Sequence, residues 1–202
     1  MSNLNLLVNT SLDNFYDSPK IFYVYSNLNN NYYQDFHHFN PILFKLIANQ
    51  DKNKITNLIN NKIKSNPKID INMQDNDGDS PLHIAIFLAN YDIIKILLDN
   101  NANVNLVDKW GQTPIHRLYF CLNNTNLLKI LELLINYKCN FHKQDVNGNT
   151  ILHLTLKQLI KLNIKINNIL KKFVLKLKFL LPNNIKNNEN ITITDLLIQI
   201  NI

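Results

Sequence analysis

Three histidines, His83, His116 and His153, each stand eight residues after an aspartate: Asp75, Asp108 and Asp145. Imidazole and carboxylate are the groups that bind metal ions or move protons, so the recurrence first suggests a metal or acid–base site. Distance argues against the metal. The histidines are 33 and 37 residues apart, and units stacked one helix layer apart hold equivalent atoms roughly 10 Å from one another. Ligands must converge on one ion at about 2.0–2.1 Å. His37 and His38 are adjacent in a turn, where their side chains point differently. Cys121 and Cys139 fit neither a paired metal spacing nor a disulfide framework. Glu132 and Glu189 are the only glutamates, and no nucleophile elbow or His-Glu-x-x-His is present. The expectation is a chain with no catalytic residue, no cofactor and no metal, and not an enzyme.

The same residues make sense as the positions of a turn and a helix start. Asp75-Asn-Asp-Gly78-Asp-Ser80-Pro81-Leu82-His83 recurs as Asp108-Lys-Trp-Gly111-Gln-Thr113-Pro114-Ile115-His116 and as Asp145-Val-Asn-Gly148-Asn-Thr150-Ile151-Leu152-His153. The chain's three glycines all fall at one place in these copies, so none remains for a phosphate-cradling loop. An Asp bonds the backbone two residues on, and Gly accepts positive φ, which together make a tight turn. Ser or Thr then caps a helix, and Pro suits its first residue. From Gly78 the chain predicts a helix at Pro81–Leu88, a break at Ala89-Asn90, a second helix at Asp92–Asn100, and Ala102-Asn-Val104-Asn105.

This unit resembles the ankyrin repeat, whose mark is a period of about 33 residues with Thr-Pro-Leu-His-x-Ala; here it reads Ser80-Pro81-Leu82-His83-Ile84-Ala85. The resemblance implies an all-α fold: an ankyrin-repeat α-solenoid of helix pairs with short β-turn or hairpin fingers. About four repeats are expected, near 35–74, 75–107, 108–144 and 145–186, with a C-terminal half-repeat cap at 187–202. The first repeat is degenerate, with helices at Pro41–Ala48 and Lys52–Asn61, Asp51 as a cap, and an insertion at Lys62–Pro67. In the third, four extra residues around Phe120–Thr125 predict a lengthened first helix, and Thr125 is placed to cap Leu127–Tyr137. In the fourth, Leu159, Leu162, Ile166, Ile169, Phe173, Leu177 and Leu180 step by three and four, predicting one long helix stopped by Pro182. In the cap, Asn190 stands at the Gly place, Thr192 at the cap and Asp195 at the His place. Residues 1–34 read as an N-terminal segment, either an extra cap or loose chain, whose aromatics favour docking.

Composition adds little about role. The chain has 38 Asn, 27 Ile and 20 Lys against the single Arg117, a bias that A/T-rich codons explain. It is similar to ankyrin proteins of A/T-rich genomes, such as giant DNA viruses of amoebae. The net charge is +6, and from Val146 to Asn188 there are eight lysines and no acid. A Lys-rich helix at 157–178 is the rival reading, giving weak binding to nucleic acid or anionic membrane. No signal peptide is evident, and six lysines exclude Leu159–Leu181 as a membrane span. The expected place is intracellular and cytoplasmic, in the host cytoplasm if the source is viral, and the expected state is a monomer.

The family resemblance implies binding of a partner protein through turn tips and the inner face of first helices, with nucleic acid disfavoured. By motif position the contact residues are Asn76, Asp77, Asp79, Lys109, Trp110, Gln112, Val146, Asn147 and Asn149, with Phe87, Leu88 and Phe120 on the helices. Gln74, Val107 and Gln144 flank the same tips. Gly78, Pro81, His83, Gly111, Pro114, His116, Gly148 and His153 are the structural residues of the motif, the histidines bonding backbone between neighbouring turns.

Overall fold

A computed structural model describes residues 42–60, 70–182 and 184–200. The expected N-terminal segment, the first turn with His37 and His38, and the insertion at 62–67 lie outside the described residues. Within them the chain forms α1 (Ile42–Ala48), α2 (Lys52–Asn60), α3 (Pro81–Phe87), α4 (Tyr91–Asp99), a 3-10 helix (Pro114–Phe120), α5 (Leu127–Asn136), α6 (Ile151–Lys161), α7 (Asn168–Leu180) and α8 (Ile193–Gln199).

Local chemistry sets these boundaries. Ser80 accepts from the amide of His83 while the His83 ring accepts from the amide of Ser80, and Pro81 opens α3. The same reciprocal box starts the 3-10 helix at Thr113 and His116, α6 at Thr150 and His153, and α8 at Thr192 and Asp195. Asp51 accepts from the amide of Lys54 at the head of α2, as expected. Apolar spacing then buries one face of each helix: Ile93, Ile94, Leu97 and Leu98 of α4 are buried while Asp92, Lys95 and Asp99 face water.

The helices stack in two rows. In the inner row α1 packs on α3, α3 on the 3-10 helix, the 3-10 helix on α6, and α6 on α8. In the outer row α2 packs on α4, α4 on α5, and α5 on α7. The core runs continuously between the rows, from Phe44 and Ile47 through Leu97, Ile130 and Phe173 to Leu197. The fingers are turns rather than hairpins: among the described residues there is no strand, only an isolated bridge between Lys186 and Thr192.

Three expectations differ. The stripe from Leu159 to Leu180 is not one helix, because α6 ends at Lys161 and α7 starts at Asn168. Asn163 takes φ +47, and the Asn167 side chain caps α7 by accepting from the Leu170 amide. The periodic stripe runs across both, so period alone hid the break. The extra residues of the third repeat do not lengthen its first helix; they form a loop anchored by buried Cys121 and Leu122, with the Cys121 thiol donating to the Ile86 carbonyl. Thr125 does not cap α5. Asn126 holds the cap position.

Candidate functional site

Each tip is built around one carboxylate or carboxamide oxygen. Asp75 Oδ1 accepts from the amides of Asp77 and Asp79, Asp108 Oδ1 from Trp110 and Gln112, and Asp145 Oδ1 from Asn147 and Asn149. Asn187 does the same for Glu189 and Ile191. The tips are then tied to one another by a repeating backbone bond. The amide of Lys109 donates to Asp77 O at 3.1 Å, Val146 to Trp110 O at 2.9 Å and Asn188 to Asn147 O at 3.0 Å. Gln74 and Gln144 reinforce the register, each donating to a glycine carbonyl and to the next repeat's chain.

His83 and His116 do structural work with both ring nitrogens, and His153 with Nδ1, which accepts from the Thr150 amide. His83 Nδ1 accepts from the Ser80 amide, so the proton is on Nε2, which donates to Gln112 O at 3.2 Å. His116 repeats this between Thr113 and Lys143 O at 3.1 Å. Burial lowers the His83 pKa to about 3 and that of His116 to about 4. Asp195 stands where a histidine would, and needs only to accept from the Thr192 amide.

These pairings give a pH test. His116→Ala should remove about 1–3 kcal/mol at pH 7 through a lost buried bond. Because the folded-state pKa lies below the unfolded value near 6.5, the contribution is complete above pH 6.5 and is lost as pH falls toward about 4. The gap between native and variant should therefore narrow over that window in urea unfolding. Nitrogen NMR should show His83 and His116 still neutral, with the proton on Nε2, at pH 5.

The only arginine is the residue that sequence reasoning missed. Arg117 is 3% exposed. It donates through one terminal nitrogen to Asp79 Oδ1 at 2.6 Å and Asp108 Oδ2 at 2.7 Å, and through the other to Gln112 Oε1. Gln112 Nε2 in turn reaches Asp145 Oδ2 at 3.2 Å, so the network crosses three repeats. Burial raises the carboxyl pKa of Asp79 and Asp108, against the pull of the guanidinium. In a chain of twenty lysines, a lone arginine was the available signal: a planar fork can satisfy several buried acceptors at once, and an ammonium cannot match that geometry.

The network corrects part of the expected contact set. Asp79 and Gln112 are fully buried and Asn149 is 4% exposed, with Asn149 accepting from Asn187 across the last interface. These three join repeats and have no surface to offer a partner. Asp79, His83 and Asp108 place ligand atoms within 4.8 Å of one another, yet a cation there would meet the Arg117 guanidinium, and both His83 nitrogens are already engaged. The cluster is an ion-paired core.

The other expected residues lie at the surface in two groups. At the tips, Asn76 and Lys109 are exposed, Val146 is 57% exposed, and Asp77, Trp110 and Asn147 are half-buried. Lys109 pairs with Asp77, its Nζ lies 4.5 Å from the Trp110 ring, and Arg117 lies below that ring at 6.0 Å. At the far end of the inner helices, Phe87 and Phe120 meet edge to face at 5.3 Å, with Leu88 half-buried beside them. The seven residues of the 3-10 helix separate the two groups by roughly 14 Å. The Lys-rich segment is partly spent on ion pairs, Lys157 with Glu189 and Lys176 with Glu132.

The family model for ankyrin repeats in three copies matches residues 20–108 and 43–131, together more than half of the sequence. The chain belongs to the ankyrin repeat family. Ankyrin repeats generally mediate protein–protein interaction and are generally non-enzymatic. Viral ankyrin repeat proteins are among the relatives: one of Acanthamoeba polyphaga mimivirus is 36% identical over 83 residues, and one of fowlpox virus is 33% identical over 92. A Dictyostelium discoideum protein named as a serine/threonine-protein kinase is 32% identical over 92 residues. The matches cover 41%, 46% and 44% of this chain but only 10%, 15% and 11% of those relatives. No helix among the described residues is long and apolar enough to cross a membrane.

Proposed function

We propose that this ankyrin repeat chain is a non-catalytic protein-binding module whose contact surface is the row of tips Asn76–Asp77, Lys109–Trp110 and Val146–Asn147, extended by Phe87, Leu88 and Phe120 on the inner helices. The observation that carries the reading is the coupling of the tips. One backbone bond per interface and the buried Arg117 network hold them in register, so little ordering cost remains when a partner binds. Exposed Val107 and Val146 are apolar side chains at tips whose packing does not need them. Trp110 is the anchor: aromatic, half-buried and flanked by a cation, the kind of residue that dominates interface energetics. Asn76, Lys109 and Asn147 supply a polar rim.

Trp110→Ala tests this. The ring loses its contacts with Lys109 and Arg117, so stability should fall by about 1–2 kcal/mol. Capture of bound protein from extract of the source cell, quantified by mass spectrometry against the native chain, should fall at least about tenfold, as for an interface hot spot. Equal capture by native and variant chains would exclude Trp110 from the contact surface.

A further inference from the structure

Along the outer row, α4 is covered by α2 and α5, and α5 by α4 and α7. The half-repeat breaks this series: α8 packs on the inner helix α6, and no described helix follows α7 in the outer row. What remains beside α7 is a groove of about 770 Å³, lined by Ile160, Ile164, Ile166, Leu175 and Ile200, with Lys171 at its side. Leu175 is 44% exposed and Phe179 is 90% exposed; with Lys171 they share one stripe of α7 at four-residue spacing.

Its charge has one sign. Lys171 lines the groove, Lys161, Lys165 and Lys172 are exposed residues next to its lining residues in the chain, and none of the four has an ion-pair partner among the described residues. No carboxylate occurs from Val146 to Asn188. We propose that this groove is a second docking site, taking an amphipathic helix of a partner protein with an apolar ridge of Leu, Ile or Phe and flanking Asp or Glu. The apolar face packs on Leu175 and the isoleucines of the groove, and the acids pair with lysines that have no ion-pair partner among the described residues. A recessed groove admits the ridge of a helix, whereas a flat bilayer surface reaches only protruding side chains. The site is independent of the tips.

The test uses the full chain and a fluorescein-labelled helical peptide of about 18 residues, near five turns, with leucines at i, i+3, i+4 and i+7 and glutamates beside them. Fluorescence anisotropy should report binding that weakens at least about tenfold for Leu175→Ser, and again for Lys171→Glu combined with Lys165→Glu. Both variants alter exposed or half-exposed side chains and should keep the native circular dichroism and Tm; Trp110→Ala should bind the peptide normally. A peptide with lysines in place of glutamates should bind at least about tenfold more weakly. Equal binding of the two peptides, or indifference to the groove variants, overturns the proposal. So does binding of vesicles of phosphatidylcholine with phosphatidylserine where the peptide does not bind, or dimerisation of the chain abolished by Leu175→Ser.

Discussion

Replacing Arg117 by leucine should remove about 3–5 kcal/mol of stability at pH 7, the usual consequence of stranding a buried charge. Asp79 and Asp108 would keep their places in the core with the guanidinium between them gone, and Gln112 would lose its donor. Lysine at this position would carry the charge without the fork, so Arg117→Lys should fall between the two. The sign of the pH effect follows from the carboxyls. Burial already raises both above the usual range, and without Arg117 they rise further, so the variant's deficit should shrink as pH falls from 7 toward 4 and the acids take up protons. Urea unfolding at the two pH values measures this. A deficit below about 1 kcal/mol at pH 7, of the order of an exposed pair, would mean that the network contributes little.

Gly78→Ala should be nearly as damaging, at about 3 kcal/mol, and more so than the same change at Gly111. Both glycines have positive φ, +79 and +73, where a Cβ alone costs about 1–2 kcal/mol. Gly78 has no room as well: the added Cβ would stand 2.8 Å from Lys109 N and 2.9 Å from Asp108 Cα, both backbone of the next tip. Moving them breaks the bond from the Lys109 amide to Asp77 O. At Gly111 the nearest atom, Val146 N, is 3.3 Å away, so the cost there is mainly conformational. Thermal melts of the two variants should rank Gly78→Ala below Gly111→Ala, and the reverse order would deny that tip contact is tight.

Much of this fold is written locally. Asp, Gly, Ser or Thr and Pro, and His through Nδ1, act within a few residues of themselves, which is why the turn, the cap and the helix start were legible, down to Thr192 and Asp195 in the half-repeat. Contacts between repeats were less so. Asp79, Gln112 and Asn149 occupy tip positions by motif, yet their partners lie 33–38 residues away in the chain, on Arg117, Asp145 and Asn187, and no local pattern announces them. Asparagine was hard to read for a different reason. Codon bias accounts for its abundance, but Asn101, Asn163 and Asn190 take positive φ, and Asn90 and Asn167 cap helices. Periodicity misled at α6 and α7 because those asparagines interrupt the backbone without interrupting the apolar stripe.

The claim that partner binding uses the tips is tested most directly by site-specific photo-crosslinking. Benzoylphenylalanine is placed singly at Lys109 or Asn147 on the tips, and at Lys95 or Lys129 on the outer helices, all positions where the side chain is exposed or half-exposed. After irradiation in extract of the source cell, the account predicts one shared set of crosslinked protein from Lys109 and Asn147 that is absent from Lys95 and Lys129. Crosslinks from the outer positions with none from the tips would contradict it.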